Sequence, residues 1–244
     1  PVVTDVMKNE AERVNQGFLL RVREKRPFIT LKLAQTADGF AGADGKPLMI
    51  SCAMSKHRVH LQRASHDAIM VGVGTVISDD PDLTCRLPGM MHLSPIRVII
   101  DTHLDTPATA RVIETAAKVS TWLITVEDAP LDREIGLSKD GVRIIRVKKD
   151  RHGHVDVKAA MHALAECGIT RIFSEGGPTL AEALVSHHLV DCIEIITSPE
   201  ALGRAGTAAL RSQLKAALSD QKLFVKSSEQ VVGRDHVQYF ERVV

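Results

Sequence analysis

The segment Ser174-Glu175-Gly176-Gly177-Pro178-Thr179-Leu180 decides the fold and marks a candidate binding site. Residues 170–173 before it predict a short strand, and residues 180–185 after it predict a helix. Pro178 suits the first helical position, and the paired glycines let a ligand approach the backbone. The segment therefore predicts a turn whose free N–H groups can receive an anion, with Glu175 at the carboxyl end of the strand. A tight turn that binds nothing has the same pattern, and this segment alone does not separate the two.

Short apolar strands alternate with helices along most of the chain. Predicted strands span residues 28–33, 68–71, 96–100, 120–125, 142–147, 170–173 and 191–197, and helices span residues 55–64, 157–167 and the stretch after Pro178. This alternation predicts an α/β sandwich around a mainly parallel sheet. Residues 222–227 and 236–242 alternate like the strands of an antiparallel hairpin at the carboxyl end.

The beginning of the chain and three Gly-containing segments give further predictions. Thr4 or Asp5 can cap a helix that runs through Val14 and ends at Gln16-Gly17. Asp38-Gly39 and Asp44-Gly45 predict turns, and residues 72–75 predict a turn out of the preceding strand. No linker after about residue 26 marks a second domain, so we expect one domain over residues 26–244.

Composition is that of an ordinary globular protein, and the cytoplasm is the expected location. Of 244 residues, 44% are hydrophobic and 25% charged, and the net charge of +1 favours neither nucleic acid nor a membrane surface as a partner. Aromatic residues are only 3%, which argues against a base-stacking surface. No apolar run has the length of a membrane span. The four cysteines form no Cys-x-x-Cys pair, so we expect buried or half-buried thiols and no metal site.

Several familiar catalytic motifs are missing from the sequence. Gly72-x-Gly74 has Ile77 where a dinucleotide-binding fingerprint requires its third glycine. The chain has no phosphate-loop motif, no nucleophile elbow and no zinc-deaminase motif. His57 and His60 have helical spacing, but no further ligand completes a metal site, so a solvated helix face is the interpretation.

Polar residues at predicted strand ends remain as candidates for chemistry. Lys32 projects from the first strand, and Asp79-Asp80-Pro81 follows the Gly-containing turn, where paired aspartates are usually a solvated turn or a helix cap. Arg86 lies in a loop of small residues that suits phosphate binding, although a surface arginine is the commoner case. The residues alone indicate an α/β enzyme for a small anionic substrate, with the reaction class open.

Four motifs in order resemble one family. They are residues 26–34 followed by Asp38-Gly39, residues 67–87, residues 95–101 and residues 174–181. Together they resemble the reductase domain of the bacterial bifunctional riboflavin-biosynthesis deaminase/reductase, over roughly residues 18–242. The resemblance implies a dihydrofolate-reductase-like three-layer fold, a homodimer, and NADPH as hydride donor. Residues 1–25 are then expected to be the tail of a deaminase domain that is missing here, with its linker.

The resemblance also implies a reaction and its residues. The ribosyl group of 5-amino-6-(5-phosphoribosylamino)uracil is reduced to ribityl, with hydride delivered to an imine-like C1′ after the sugar opens. An acid–base group must assist the opening, and Lys32 or Asp79 is the candidate. The implied substrate contacts are Arg63, Leu83, Arg86 and Glu175, with the two arginines on the 5-phosphate. The implied cofactor contacts are Ala34, Thr75, Asp79, Thr102, Gly177, Pro178, Thr179 and Leu180.

One stretch departs from the family pattern, and two rival functions stay open. Pro47 stands where a substrate-binding Ser is expected, and Met49 stands where a Trp would line the cofactor. Met49 can be an apolar wall for the nicotinamide or ordinary core. A reductase of the same fold could act on another pterin- or pyrimidine-like substrate, but it need not keep both Arg63 and Arg86. A non-catalytic nucleotide-binding module has no need of Lys32.

Overall fold

A nine-stranded sheet organises the chain in the computed structural model, which describes residues 3–43 and 46–243. The strands are β1 Phe28–Gln35, β2 Phe40–Ala43, β3 Lys46–Pro47, β4 Ala68–Gly72, β5 Ile96–Ile100, β6 Thr121–Val126, β7 Val142–Val147, β8 Arg171–Ser174, β9 Cys192–Thr197, β10 Thr207–Ala208, β11 Phe224–Val232 and β12 Asp235–Arg242. The helices are α1 Lys8–Val14, α2 Gln16–Arg23, α3 Ala53–Ala64, α4 Val73–Asp79, α5 Arg111–Glu114, α6 Leu131–Leu137, α7 Val157–Glu166, α8 Pro178–Ser186 and α9 Ser212–Ser219.

The large sheet is parallel except at one edge. Its order is β11-β12-β9-β1-β8-β4-β5-β6-β7, and only the β11–β12 and β12–β9 pairs are antiparallel. Strands β10, β2 and β3 form a separate small sheet. The predicted α/β architecture, with a mostly parallel sheet and an antiparallel hairpin at the carboxyl end, is confirmed.

The two faces of the central strands differ in chemistry. Ile29, Leu31 and Leu33 of β1 belong to the main apolar core, which includes residues of α7, α8 and α9. The opposite face of the same strand carries Thr30 and Lys32, with a smaller apolar cluster around Val59 of α3. A strand alternates its side chains between faces, so β1 presents its polar residues only beneath α3. This more polar face is where charged groups can gather.

Two predictions about glycine and one about a helix cap were wrong. Gly17 does not end a helix but lies inside α2, where a Cβ would come within 2.7 Å of the Thr170 carbonyl oxygen. Its missing side chain therefore permits close packing. The preceding helix begins at Lys8, after Met7, and neither Thr4 nor Asp5 caps it. The predicted turn over residues 72–75 is instead the start of α4, with Gly72 as its N-cap.

The Asp38-Gly39 turn is confirmed. Gly39 has a φ of +87°, and the Asp38 carboxylate accepts hydrogen bonds from the Thr36 hydroxyl and from the N–H groups of Leu202 and Gly203. These bonds to the ionised form lower the pKa of Asp38 to about 2. The Asp44-Gly45 segment lies outside the described residues.

Among the helices of the described residues, none is both long enough and apolar enough to cross a membrane.

Candidate active site

The turn after β8 faces the first residues of α4. Because β8 and β4 are neighbours, α8 and α4 start side by side at the carboxyl ends of two parallel strands. A Cβ on Gly177 would meet only the Thr75 hydroxyl oxygen, at 3.9 Å, whereas a Cβ on Gly176 would lie 2.7 Å from Leu180. Gly176 is therefore required by packing, while Gly177 leaves open space between the two turns.

The start of α8 offers free backbone donors next to that space. Gly177 is the N-cap, no side chain caps the helix, and Pro178 occupies the first turn. The N–H groups of Thr179 and Leu180 lie in the first turn, where an α-helix provides no carbonyl partner. This arrangement suits a phosphate group. The structure thus brings Thr75 together with the predicted residues 177–180.

A row of charged residues crosses the α3 face of the sheet. Lys32 of β1 is the register partner of Glu194 on β9. On its other side, Leu31 pairs with Ser174, so Lys32 is level with Glu175 just beyond β8. Parallel strands in register direct paired side chains to the same face. The row therefore reads Glu175, Lys32, Glu194.

Arg63 of α3 grips Glu175 with two donors. Its Nε donates to Oε1 at 2.6 Å and its Nη2 donates to Oε2 at 3.1 Å, while Nη1 donates to the Thr84 carbonyl at 3.0 Å. Burial acts to raise the pKa of Glu175, but the charges of Arg63 and Lys32 outweigh it and hold the pKa below its usual value. Glu175 is thus an ionised carboxylate next to the Lys32 ammonium.

The loop after α4 holds a strained, buried leucine. Leu83 has a φ of +54° and is almost fully buried. A positive φ is costly for a leucine and persists only where the surroundings fix it. Arg97, which is fully buried, donates to the Asp82 carbonyl at 3.3 Å. Burial lowers the pKa of Arg97 to about 10, and its further bonds to the Thr115 hydroxyl and the Val119 carbonyl join this loop to the segment after α5.

Arg86 presents a more available charge than Arg63. Its side chain is 52% exposed and makes a 3.4 Å contact with Asp82. The side chain of Arg63 is only 11% exposed, and protein groups engage its donors. The two predicted phosphate ligands therefore differ: one is free to turn toward a ligand and the other is already committed to Glu175.

His60 is a site residue that sequence reasoning missed. The interpretation of a solvated helix face holds for exposed His57 but is wrong for His60, which is half-buried. Its Nδ1 lies 3.1 Å from the Thr84 carbonyl oxygen and 3.2 Å from the Arg86 backbone nitrogen. His60 therefore links α3 to the loop after α4. Burial and the charges of Arg63 and Arg86 lower the pKa of His60. The only sequence signal was its spacing of three residues from Arg63.

The remaining predicted residues lie around this centre. Ala34 follows Lys32 on the same face of β1. Thr102 lies just beyond β5 and accepts a hydrogen bond from the Val155 nitrogen at 3.3 Å. Asp79 is exposed at the end of α4 and bonds Ser78, with no contact to Lys32 among the described residues.

Met49 is not core, because it is 82% exposed, so that alternative was wrong. The Pro47 side chain lies outside what the structure describes.

The thiols behave as predicted. Cys85 is buried, the other three cysteines are half-buried, and all four are free. In the part of the chain that the structure describes, no group of three or more His, Cys, Asp or Glu side chains could hold a metal ion. A cavity of about 810 Å³ lies beside α1 and α2 and is lined by residues such as Arg26, Thr30 and His66. It includes none of the predicted site residues.

Comparison with known proteins identifies similar chains. The profile of the RibD C-terminal domain family matches residues 27–234. A riboflavin biosynthesis protein RibD of Bacillus amyloliquefaciens is 32% identical over 209 residues, covering 85% of this chain and 54% of that protein. The chain thus spans about half the length of this relative.

Two further proteins refine the comparison. The 2,5-diamino-6-ribosylamino-4(3H)-pyrimidinone 5′-phosphate reductase of Archaeoglobus fulgidus is 32% identical over 187 residues, covering 73% of this chain and 83% of that protein. The solved structure of Acinetobacter baumannii RibD superposes with a TM-score of 0.80 over 98% of this chain and 64% of that one. At 22% identity, the latter establishes the shared fold alone.

Proposed function

The chain belongs to the RibD C-terminal domain family, and from this premise we propose that it reduces the ribosyl group of 5-amino-6-(5-phosphoribosylamino)uracil to the ribityl form with NADPH, as a step of riboflavin biosynthesis. The observation that carries the proposal is Lys32 held level with the Arg63–Glu175 pair, beside the open Gly177 turn. A non-catalytic nucleotide module needs the turn but has no use for the buried charges. The match over residues 27–234 supports a reductase unit at residues 26–244.

The residues at the strand ends fit a dinucleotide cofactor. The space at Gly177, which a larger side chain would fill, lies against Thr75 and the free N–H groups of α8. These groups suit a pyrophosphate, and Ala34 and Thr102 lie on either side along the sheet. NADPH supplies a hydride when it is bound. Arg146 lies beneath the loop after β6, but Glu134 and three backbone carbonyls engage its guanidinium. It is therefore not free to bind the 2′-phosphate.

We assign the acid–base role to Lys32 rather than Asp79. The C1′ carbon accepts hydride only after the ring oxygen leaves it and takes a proton, so a proton donor must face that oxygen. Lys32 is half-buried and level with Glu175, whose ion pair with Arg63 is nearly excluded from water. Asp79 is exposed and bonds only Ser78 among the described residues.

Substrate contacts divide between the two arginines. Arg86 is available for the 5-phosphate, while Arg63 fixes Glu175 for hydrogen bonding to the substrate. Leu83, buried within the loop after α4, sets the shape of that loop.

A second substrate is favoured by one observation. The Archaeoglobus reductase is 32% identical to this chain, the same identity as the Bacillus RibD relative. That reductase is named for the 2,5-diaminopyrimidinone, which still carries the 2-amino group. The alternative function is therefore reduction of this substrate before deamination.

An NADPH-oxidation assay with both phosphoribosylaminopyrimidines tests the proposal. We expect turnover with NADPH to exceed turnover with NADH, the uracil to be reduced, and the 2-amino group of the diaminopyrimidinone not to be removed. Preference for the 2,5-diamino substrate would select the alternative function. Nucleotide binding without turnover of either substrate would favour the non-catalytic module. The homodimer is also a proposal, and sedimentation equilibrium tests it.

A further inference from the structure

Glu194 is a fully buried carboxylate that the proposed reaction does not use. It lies in the middle of β9, where the flanking Ile193 and Ile195 belong to the apolar core. Its register partner on β1 is Lys32, so the two side chains share the α3 face of the sheet. An ionisable group in such a place costs stability unless it is well paired.

The pairing of Glu194 is incomplete. Its Oε1 accepts a hydrogen bond from the Tyr239 hydroxyl at 2.9 Å and lies 3.7 Å from the Nε of Arg58. Its Oε2 is buried and has no hydrogen-bond partner within the described residues, and the same holds for the Arg58 Nε. A residue retained only for packing would be expected to have both oxygens satisfied.

The groups around Glu194 are charged on nearly every side. Lys32 faces it from β1, Arg58 from α3 and Tyr239 from β12, while Glu175 lies beyond Lys32. The Arg58 guanidinium also stacks on the Tyr239 ring, 5.0 Å from its centroid, which fixes both groups. Lys32 thus lies between two carboxylates, and an arginine of α3 is close to each of them.

We propose that Glu194 is a positioning residue of the reductase site: its carboxylate oxygen without a partner attracts the Lys32 ammonium on the same face of the sheet and keeps it level with Glu175, aimed at the substrate. This inference rests on the proposed function. In the substrate complex, Lys32 gives its proton to the departing ring oxygen and regains one from solvent, while Glu194 keeps its charge throughout.

The two carboxylates flanking Lys32 differ in acidity. Burial raises the pKa of Glu194, although Tyr239, Arg58 and Lys32 act in the opposite direction. The pKa of Glu175 is lowered, as described above. As pH falls, Glu194 therefore takes up a proton before Glu175 does. Lys32 then loses the attraction of Glu194 before that of Glu175.

The test compares kcat from pH 5 to pH 9 in the wild type, E194Q, Y239F and E241Q. The wild type should lose activity toward low pH as Glu194 is protonated. In E194Q we expect kcat about tenfold lower near pH 8, no acidic limb from Glu194, and an unchanged Kd for NADPH. Y239F removes a hydrogen bond to the ionised carboxylate, so its acidic limb should move to higher pH.

E241Q is the matched control, since Glu241 lies on the same strand as Tyr239 and pairs with exposed Arg13. It should reproduce the wild-type profile. An unchanged acidic limb in both E194Q and Y239F would overturn the proposal. It would also be overturned if these variants lost stability while kcat and its pH dependence stayed those of the wild type.

A readout without substrate separates this proposal from the proposed function. In the isolated protein, the NMR resonance of the Lys32 ε-methylene should titrate with Glu194 in the wild type and lose that step in E194Q. If no substrate is turned over but this step is present, the proposed reaction fails while the coupling stands. If the step is absent from the wild type, the positioning role is wrong.

Discussion

The central strands carry a buried arginine–carboxylate pair at each end. At the amino ends of β1 and β9, Arg26 donates two hydrogen bonds to Asp191, at 2.7 and 2.8 Å. At the carboxyl end of β8, Arg63 grips Glu175 in the same two-pronged way. Side chains of all four residues are close to one-tenth exposed. Burial and geometry therefore do not distinguish the two pairs.

The surroundings of the two ion pairs distinguish them. The Asp191 carboxylate also accepts from the Ile29 backbone nitrogen, and Arg26 also donates to Glu24 and to the Pro27 and Leu189 carbonyls, so protein groups engage both members of that pair, which borders the cavity beside α1 and α2. Glu175 instead has the Lys32 ammonium as a neighbour and the glycine turn after it. The candidate site is therefore marked by the additional charge of Lys32 beside the free N–H groups at the start of α8. A buried ion pair alone does not mark a site.

Removal of the Lys32 charge should have the largest effect. We expect Lys32→Met to lower kcat by roughly a hundred- to ten-thousandfold, because the proton donor is lost, with little change in the free energy of unfolding. Steady-state kinetics and urea unfolding measure the two effects. Lys158→Met, on the exposed side of α7, is the matched control. A kcat within about threefold of the wild type would exclude Lys32 as the acid.

The amino-end pair should respond in the opposite way. Asp191→Asn leaves Arg26 with only the half-exposed Glu24 as a counter-charge, so the free energy of unfolding should fall by about 3 kcal/mol while the folded protein keeps its kcat. Urea unfolding gives the first quantity and kinetics below the transition give the second. Glu200→Gln, in the exposed pair with Arg234, should cost less than about 1 kcal/mol. A fall in kcat for Asp191→Asn would remove the contrast between the ends.

His66 makes the stability of the α3 face depend on pH. It is buried, its Nε2 lies 3.1 Å from the Thr30 hydroxyl, and burial lowers its pKa to about 4. The unfolded histidine titrates near 6.5, so the stabilisation is complete above that pH and is lost as pH falls toward about 4. We expect a loss of about 2 kcal/mol by pH 5. His66→Phe should flatten this dependence, and an equally steep loss in that variant would assign it to other groups.

Local patterns were sufficient for the sheet. Apolar runs such as residues 68–71 and 120–125 appear as the strands Ala68–Gly72 and Thr121–Val126, because buried parallel strands need continuous apolar sequence. One failure arose where a glycine serves tertiary packing. Gly17 lies within a helix because it touches Thr170, a contact that no local pattern reveals.

The site was predictable as a set of residues but not as an arrangement. Strand ends and the resemblance pointed to Lys32, Arg86 and Glu175, yet the Arg63–Glu175 pair joins residues 112 positions apart. Sequence therefore could not indicate that Arg63 is already engaged. Glu194 was overlooked because a single polar residue within an apolar strand resembles an ordinary interruption, and its register with Lys32 depends on strand order.

The smallest effect should separate the two predicted phosphate ligands. Arg86→Ala should raise the substrate KM about tenfold with kcat and the NADPH KM nearly unchanged, because an exposed arginine loses one charged contact to the phosphate. Arg63→Ala leaves Glu175 unpaired next to Lys32, so it should lower kcat and stability as well. The double variant should be non-additive if both arginines grip one phosphate and additive if only Arg86 does. Equal KM effects with unchanged kcat in both single variants would return Arg63 to the phosphate, and its bond to Glu175 would then be a feature of the ligand-free site alone.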